Sequence, residues 1–245
     1  MKKLTNTEIK NLKKLKDKKY RKAEGLFLVE RSKLCEEVLN SNYKINRTIT
    51  SNEFKYNDFP NVCVVDYDVI KTISTTDTPQ DIICVCEIPN QDNQNFPKGN
   101  SLILDNLQDP GNIGTLIRSA MAFGFEDIYF IDCPDIYSEK VVRASMGGIF
   151  KINAHIISRD ELIKQKKKIC EILISTDLNA DILGQKRLPK TRIGVIIGNE
   201  GNGVSAELIQ ASDMAVKIPM TDRIESLNAG VAGSILMYEM FKGEN

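Results

Sequence analysis

Ile193-Gly194-Val195-Ile196-Ile197-Gly198-Asn199-Glu200-Gly201-Asn202-Gly203-Val204-Ser205 is the stretch that decides the fold. Its first five residues are a mostly β-branched apolar run, the pattern of a strand buried on both faces, and a glycine-rich loop follows before Val204-Ser205 opens a helix. The same succession surrounds it. Strands are expected at Leu102-Ile103-Leu104, Ile128-Tyr129-Phe130-Ile131, Ile152 to Ile157, Ile172-Leu173-Ile174 and Val216-Lys217-Ile218. Between or after them, helical patterns cover Asn112 to Phe123, Ser138 to Met146, Asp160 to Lys168 and Leu227 to Phe241. The fold class is therefore α/β with a mostly parallel sheet covered on both faces. Ligands of such sheets collect at the carboxyl ends of the strands, so the loops after the strands are where chemistry is expected.

Working outward, residues 26–90 carry a smaller version of this alternation. Apolar runs stand at Leu26-Phe27-Leu28-Val29, Ile45 to Ile49, Val62 to Val65, Val69 to Ile73 and Ile82 to Ile88, with Leu34, Val38 and Leu39 at helical spacing. A polar, amide-rich segment bracketed by Pro89 and Pro97 then reads as a connection. The expected organisation is a small α/β domain over 1–90, a linker over 91–100 and a larger α/β domain over 101–245.

With 42% hydrophobic and 27% charged residues in 245, the composition is that of a globular chain, and collagen-like or wholly disordered classes are excluded. No apolar run approaches the roughly 20 residues that span a bilayer, and Met1-Lys2-Lys3-Leu4 leads into no apolar stretch. A cytoplasmic protein without a membrane segment is expected. The six cysteines form no C-x-x-C, and several lie in Val/Ile runs, as buried reduced thiols do. The single histidine, His155, lies in a strand-like stretch, so serine triads and histidine metal sites lack their parts and no metal is expected.

The formal charge of zero hides an asymmetry. Residues 1–33 hold twelve Lys/Arg against four Asp/Glu, which leaves 21 bases and 29 acids in the rest. Thr5-Asn6-Thr7-Glu8 reads as a capping box, followed by Ile9, Leu12 and Leu15 at helical spacing with eight bases between positions 10 and 22. A solvated helix face would explain part of this, and phosphate contacts to an RNA would explain the excess.

Three loops read as chemical. The first runs from Asp105 through Asp109-Pro110-Gly111-Asn112-Ile113-Gly114 into a helix carrying Arg118, where Asn112 is expected to cap the helix and Arg118 to offer a cation. The second, 198–203, has three glycines in six positions, which permits close backbone approach to a ligand. It is neither a P-loop nor a G-x-G-x-x-G fingerprint, and Glu200 argues against an anion. The third runs from Ile218-Pro219-Met220 to Glu225-Ser226-Leu227-Asn228, with small residues at 229, 230, 232, 233 and 234. Capping alone would explain either Ser226 or Asn228 at a helix start.

In order and spacing these loops resemble the three motifs of the SpoU (TrmH) family of the SPOUT superfamily of RNA methyltransferases. The matching residues are Asp109-Pro110-x-Asn112-x-Gly114-x-x-x-Arg118, Ile197-Gly198-Asn199-Glu200-Gly201-x-Gly203, and Ile218-Pro219-Met220 with Glu225-Ser226-Leu227-Asn228 and Val231-Ala232. Two stretches depart from the pattern: Asp222 stands where a glycine is usual, and Ala229-Gly230 where Val-Ser is usual. The resemblance implies a C-terminal trefoil-knot domain, a smaller N-terminal substrate-binding domain and a homodimer formed through the last helix. It implies transfer of a methyl group from S-adenosyl-L-methionine to a ribose 2′-hydroxyl of RNA, with ribosomal RNA favoured over tRNA. By the same resemblance Arg118 stabilises the developing alkoxide, Asn112 orients substrate, Glu200 positions Arg118 or the hydroxyl, and Ser226 and Asn228 complete the pocket. The cofactor is implied to lie against Thr176, Gly198, Asn199, Gly201, Ile218, Met220, Leu227 and Asn228. A tRNA methyltransferase, a catalytically silent RNA-binding protein of this fold, and a nucleotide-dependent oxidoreductase on a doubly wound sheet are the alternatives.

Overall fold

Apolar runs without polar alternation are satisfied only where both faces of a sheet are covered, and they form the centre of the larger sheet in the computed structural model. The structure describes residues 4–52, 54–90, 96–182, 191–221 and 223–244. Residues 91–95 of the expected linker, and Asp222, lie outside the described residues. In chain order the elements are α1 (Asn6–Lys14), α2 (Lys18–Glu24), β1 (Leu26–Glu30), α3 (Ser32–Leu39), β2 (Ile45–Thr50), β3 (Val62–Val64), α4 (Tyr67–Ile73), β4 (Ile82–Glu87), β5 (Ser101–Asp105), α5 (Pro110–Ala122) and β6 (Asp127–Ile131). There follow α6 (Glu139–Ala144), β7 (Asn153–Ile156), α7 (Arg159–Ile169), β8 (Ile172–Ile182), β9 (Ile193–Ile197), α8 (Ala206–Ala211), β10 (Met214–Lys217) and α9 (Ala229–Glu244). Contacts gather these into two units, Met1–Asn90 with Asp135–Phe150, and Gln91–Pro134 with Lys151–Asn245.

The first unit is built on a sheet of order β1-β4-β2-β3, in which β4 runs antiparallel to β1 and β2 and β3 runs parallel to β2. Five of the six residues of β4 are buried, including Cys84 and Cys86, and all six cysteines are free thiols. Thr5 and Glu8 do form the expected capping box. The Lys-rich segment differs from its reading as one helix. It breaks between α1 and α2, where Asp17 recaps the chain by accepting from the Lys19 N–H at 2.8 Å, while Leu12 and Leu15 share the buried face. Nor do its bases all face solvent. Arg21 is buried, with its Nε 2.7 Å from Asp135 and its Nη1 donating to the carbonyls of Leu15 and Lys16. A residue taken for a phosphate contact thus anchors the 135–150 segment, helped by Phe27 and Phe150 packed around Tyr43 and Tyr137.

The second unit carries a six-stranded parallel sheet of order β10-β8-β9-β5-β6-β7. Every residue of β5, β6 and β9 is buried, as their unbroken apolar runs require. β8 extends beyond the Ile172-Leu173-Ile174 expected for it, and its pairing with β10 jumps from Ser175 to Asp181 opposite the consecutive Ala215 and Val216. β5 leads on to β6 on one side, whereas β9 leads to β10 on the other. The β5 and β9 loops therefore diverge at a topological switch point, where the carboxyl ends of adjacent strands leave a crevice.

Candidate functional site

The loops after β5 and β9 are tied to each other before they can hold anything else. Asp105, buried at the end of β5, accepts from the Ser205 N–H at 2.7 Å and from Arg159 Nε at 3.0 Å, and Arg159 reaches Asp132 at 2.7 Å. Asn106 turns the chain with a φ of 57°, and its carbonyl accepts from Asn199 Nδ2 at 2.8 Å. Asn199 in turn folds its own loop. Its Oδ1 accepts from the N–H groups of Gly201 and Asn202 at 2.9 and 3.0 Å, and its backbone exchanges two 2.9 Å bonds with Gly203. The closure is tight enough to demand glycine, since a Cβ on Gly198 would lie 2.2 Å from backbone atoms of Gly203 and Val204.

Onto this frame the three loops converge through side-chain amides. Asn228 Nδ2 donates to Asn112 Oδ1 at 2.9 Å, and Asn112 Nδ2 donates to Glu200 Oε1 at 2.9 Å. Because the relay ends on a carboxylate that can only accept, the orientation of both amides is fixed. Asn228 also caps α9, with Oδ1 3.2 Å from the Val231 N–H, so capping and relay are served by one side chain. The expected cap role of Asn112 is corrected: Asp109 caps α5, accepting from the Gly111 N–H at 2.8 Å with Pro110 in the first turn, and this leaves Asn112 free to face Glu200. Burial raises the Glu200 pKa, but the bonds from Asn112 and from the Gln108 and Asp109 N–H groups outweigh it and hold the carboxyl below its ordinary range. Glu200 is ionised at neutral pH and loses these bonds only as pH falls through that lowered value.

Not every expected residue joins the relay. Glu200 spends its oxygens on Asn112 and the α5 entry rather than on Arg118. Arg118 is exposed on α5, and among the described residues its guanidinium has no ion pair or hydrogen bond. Ser226 and Gly201 are exposed, and Ile218, Met220 and Leu227 are half-buried. Thr176 donates to the Ile196 carbonyl at 3.2 Å, beside the end of β9. Sequence reasoning assigned nothing to Asp105, Arg159 or Ser205. The available signal was an acid placed directly after a wholly apolar strand, which must find partners when buried. The small residues of α9 pack within the chain: a Cβ on Gly233 would meet Leu116 and Ile197, and Ser234 bonds Ser119 at 2.7 Å. Among the described residues no group of three or more His, Cys, Asp or Glu could hold a metal ion, and no helix is long and apolar enough to cross a membrane.

Comparison with known proteins places these features in company. The model of the SpoU rRNA Methylase family matches residues 99–238, and that of the MRM3-like substrate binding domain matches residues 6–84. The 23S rRNA (guanosine(2553)-2′-O)-methyltransferase RlmP of Bacillus subtilis is 30% identical over 240 residues, covering 96% of each chain. A crystal structure of an AdoMet-bound rRNA methyltransferase from Sinorhizobium meliloti superposes with a TM-score of 0.87 at 26% identity, over 99% of this chain and 97% of that one. A crystal structure of an RNA 2′-O ribose methyltransferase gives a TM-score of 0.83 at 26% identity, over 98% and 97%.

Proposed function

Because the chain belongs to the SpoU rRNA methylase family, we propose that it transfers a methyl group from S-adenosylmethionine to a ribose 2′-hydroxyl of ribosomal RNA. The observation that carries this reading is the relay Asn228–Asn112–Glu200, which draws one side chain from each of the three loops to the switch point of the parallel sheet. The relative named for guanosine 2553 of 23S rRNA makes large-subunit RNA the first substrate to try.

The residues present fit such a cofactor. The Gly198–Gly203 turn, closed on itself where a Cβ would collide, presents backbone rather than side chains, and half-buried Ile218, Met220 and Leu227 offer apolar surface to an adenosyl group. Thr176, Asn199, Gly201 and Asn228 complete the set that would hold it. When bound, the sulfonium supplies a methyl already activated for in-line displacement, so the protein's task is to position a weakly acidic hydroxyl and stabilise its alkoxide. Asn112, its amide fixed in one orientation between Asn228 and Glu200, would orient the substrate. Arg118 supplies the cation. A guanidinium offers only N–H donors and no free lone pair with which to accept a proton, so its part is electrostatic.

The same reading includes a trefoil knot, a cytoplasmic location and a homodimer through α9. What supports the dimer is that α9 keeps Val231 and Tyr238 outward, each 47% exposed, although its small residues are used up inside the chain. In a dimer Arg118 would serve the site of the neighbouring subunit, which accounts for its separation from Glu200 in a single chain. Isothermal titration calorimetry tests the cofactor assignment: S-adenosylhomocysteine should bind with one-to-one stoichiometry and NAD should not. Binding of NAD alone would transfer the protein to the oxidoreductase class, and binding of neither would leave a bare RNA-binding protein.

A further inference from the structure

Arg31 breaks two local rules at once. Its φ of 81° and ψ of 134° fall where an L side chain crowds its own backbone and glycine is the ordinary occupant. It also stands at the N-cap of α3 without capping it, placing a cation at the positive end of the helix dipole. No local contact compensates: the exposed Arg31 side chain has no ion pair or hydrogen bond among the described residues. The conformation is imposed from both sides. Glu30 is buried and accepts from the Thr75 N–H at 2.9 Å, from Thr75 Oγ1 at 2.7 Å and from the Ser74 hydroxyl. On the other side the Ser32 N–H donates to Gln80 Oε1 at 2.7 Å, and the Arg31 carbonyl accepts the first bond of α3 from Cys35 at 2.9 Å.

Arg31 lines a cleft together with Arg143, Glu30 and Glu139, two bases against two acids, and the cleft shares Leu28 and Glu139 with a neighbouring cavity of about 180 Å³ to which Lys16, Arg21 and Lys140 add three bases. Glu139 is paired with Arg143 and Asp135 with Arg21, which leaves Arg31, Lys16 and Lys140 facing one remaining carboxylate, Glu30, held by hydroxyl and backbone donors. Lys16 rests on the neutral carbonyls of Thr72 and Ser74, so its charge is uncompensated. Among the described residues no carboxylate pairs with Arg31, Lys16 or Lys140.

We propose that Arg31 is a phosphate-contacting residue for the RNA substrate, its guanidinium aimed by a strained backbone, with Lys16 and Lys140 continuing the basic track along the first unit. A planar fork of donors matches a phosphate bidentately, which a lysine or a relaxed glycine at this position would not. The inference rests on the RNA methyltransferase reading above.

Two variants separate the cation from the strain. Arg31→Ala and Arg31→Gly should each bind in vitro transcribed ribosomal RNA roughly tenfold more weakly. The slope of log affinity against log salt should become shallower by about 0.7, the loss of one phosphate contact on a single strand. Calorimetric affinity for S-adenosylhomocysteine should not change. Arg31→Gly alone relieves the backbone, so it should melt about 2–4 °C above Arg31→Ala. Wild-type RNA affinity and salt slope in both variants, with S-adenosylhomocysteine still bound, would remove Arg31 from the RNA contact and leave the methyltransferase reading intact. Equal melting of the two variants would overturn the strained-aiming argument. A wild-type protein that binds neither S-adenosylhomocysteine nor RNA would bring down that reading, and the role of Arg31 with it.

Discussion

Arg118→Ala should lower the rate of methyl transfer by about 10²–10³-fold, the loss found when a single donor to a developing oxyanion is removed. The expectation follows from what Arg118 lacks as much as from where it stands. It is exposed on α5, unpaired among the described residues and outside the hydrogen-bond relay, so the folded chain makes no use of it. Replacement of such a surface residue should change stability by no more than about 0.5 kcal/mol, and S-adenosylhomocysteine affinity should stay within a few-fold. Arg118→Lys should recover little, since a point charge does not reproduce a planar fork. Single-turnover assays with saturating cofactor would show this, and near wild-type rates in either variant would remove Arg118 from the chemistry.

The second large effect is expected at Gly198. An alanine there places its Cβ 2.2 Å from the backbone of Gly203 and Val204. These are main-chain atoms locked by the paired Asn199 and Gly203 bonds, so no side chain can swing away and the turn must open. Misplacement of a binding loop by about 1 Å costs on the order of a hundredfold in rate, and a comparable loss of S-adenosylhomocysteine affinity is expected by calorimetry. Gly99, by contrast, lies outside the three loops, and a Cβ there would meet nothing within 4 Å. Gly99→Ala should therefore bind nearly as wild type, and equal losses in the two variants would contradict the cradle.

The contrast between the two glycines shows what the sequence made legible and what it did not. The strands β5, β6 and β9 could be read directly because burial on both faces leaves an unbroken apolar run. The membership of Asn112, Glu200 and Asn228 in one site came from their resemblance to family motifs, and the direction of their hydrogen bonds came only from the fold. Local pattern failed where distant contacts took over. The Lys-rich segment has a continuous helical period, yet it breaks at Leu15 to Asp17, where Asp17 caps a second helix. Arg21 pairs with Asp135, 114 residues away, which no spacing rule foretells. Asn112 looked like a cap because Asn favours caps, but Asp109 lies one turn earlier and took the role. Arg31 is invisible to periodicity altogether, since only a backbone angle reveals its strain.

Ribose methylation of RNA is tested by incubating the protein with in vitro transcribed ribosomal RNA and methyl-labelled S-adenosylmethionine. The RNA is then digested to nucleosides and the labelled product identified by mass spectrometry. A single 2′-O-methylated nucleoside is expected, formed about 10²–10³-fold more slowly when Arg118→Ala replaces the wild-type protein. Label found on a base rather than a ribose, or no label from a protein that binds S-adenosylhomocysteine, would contradict it.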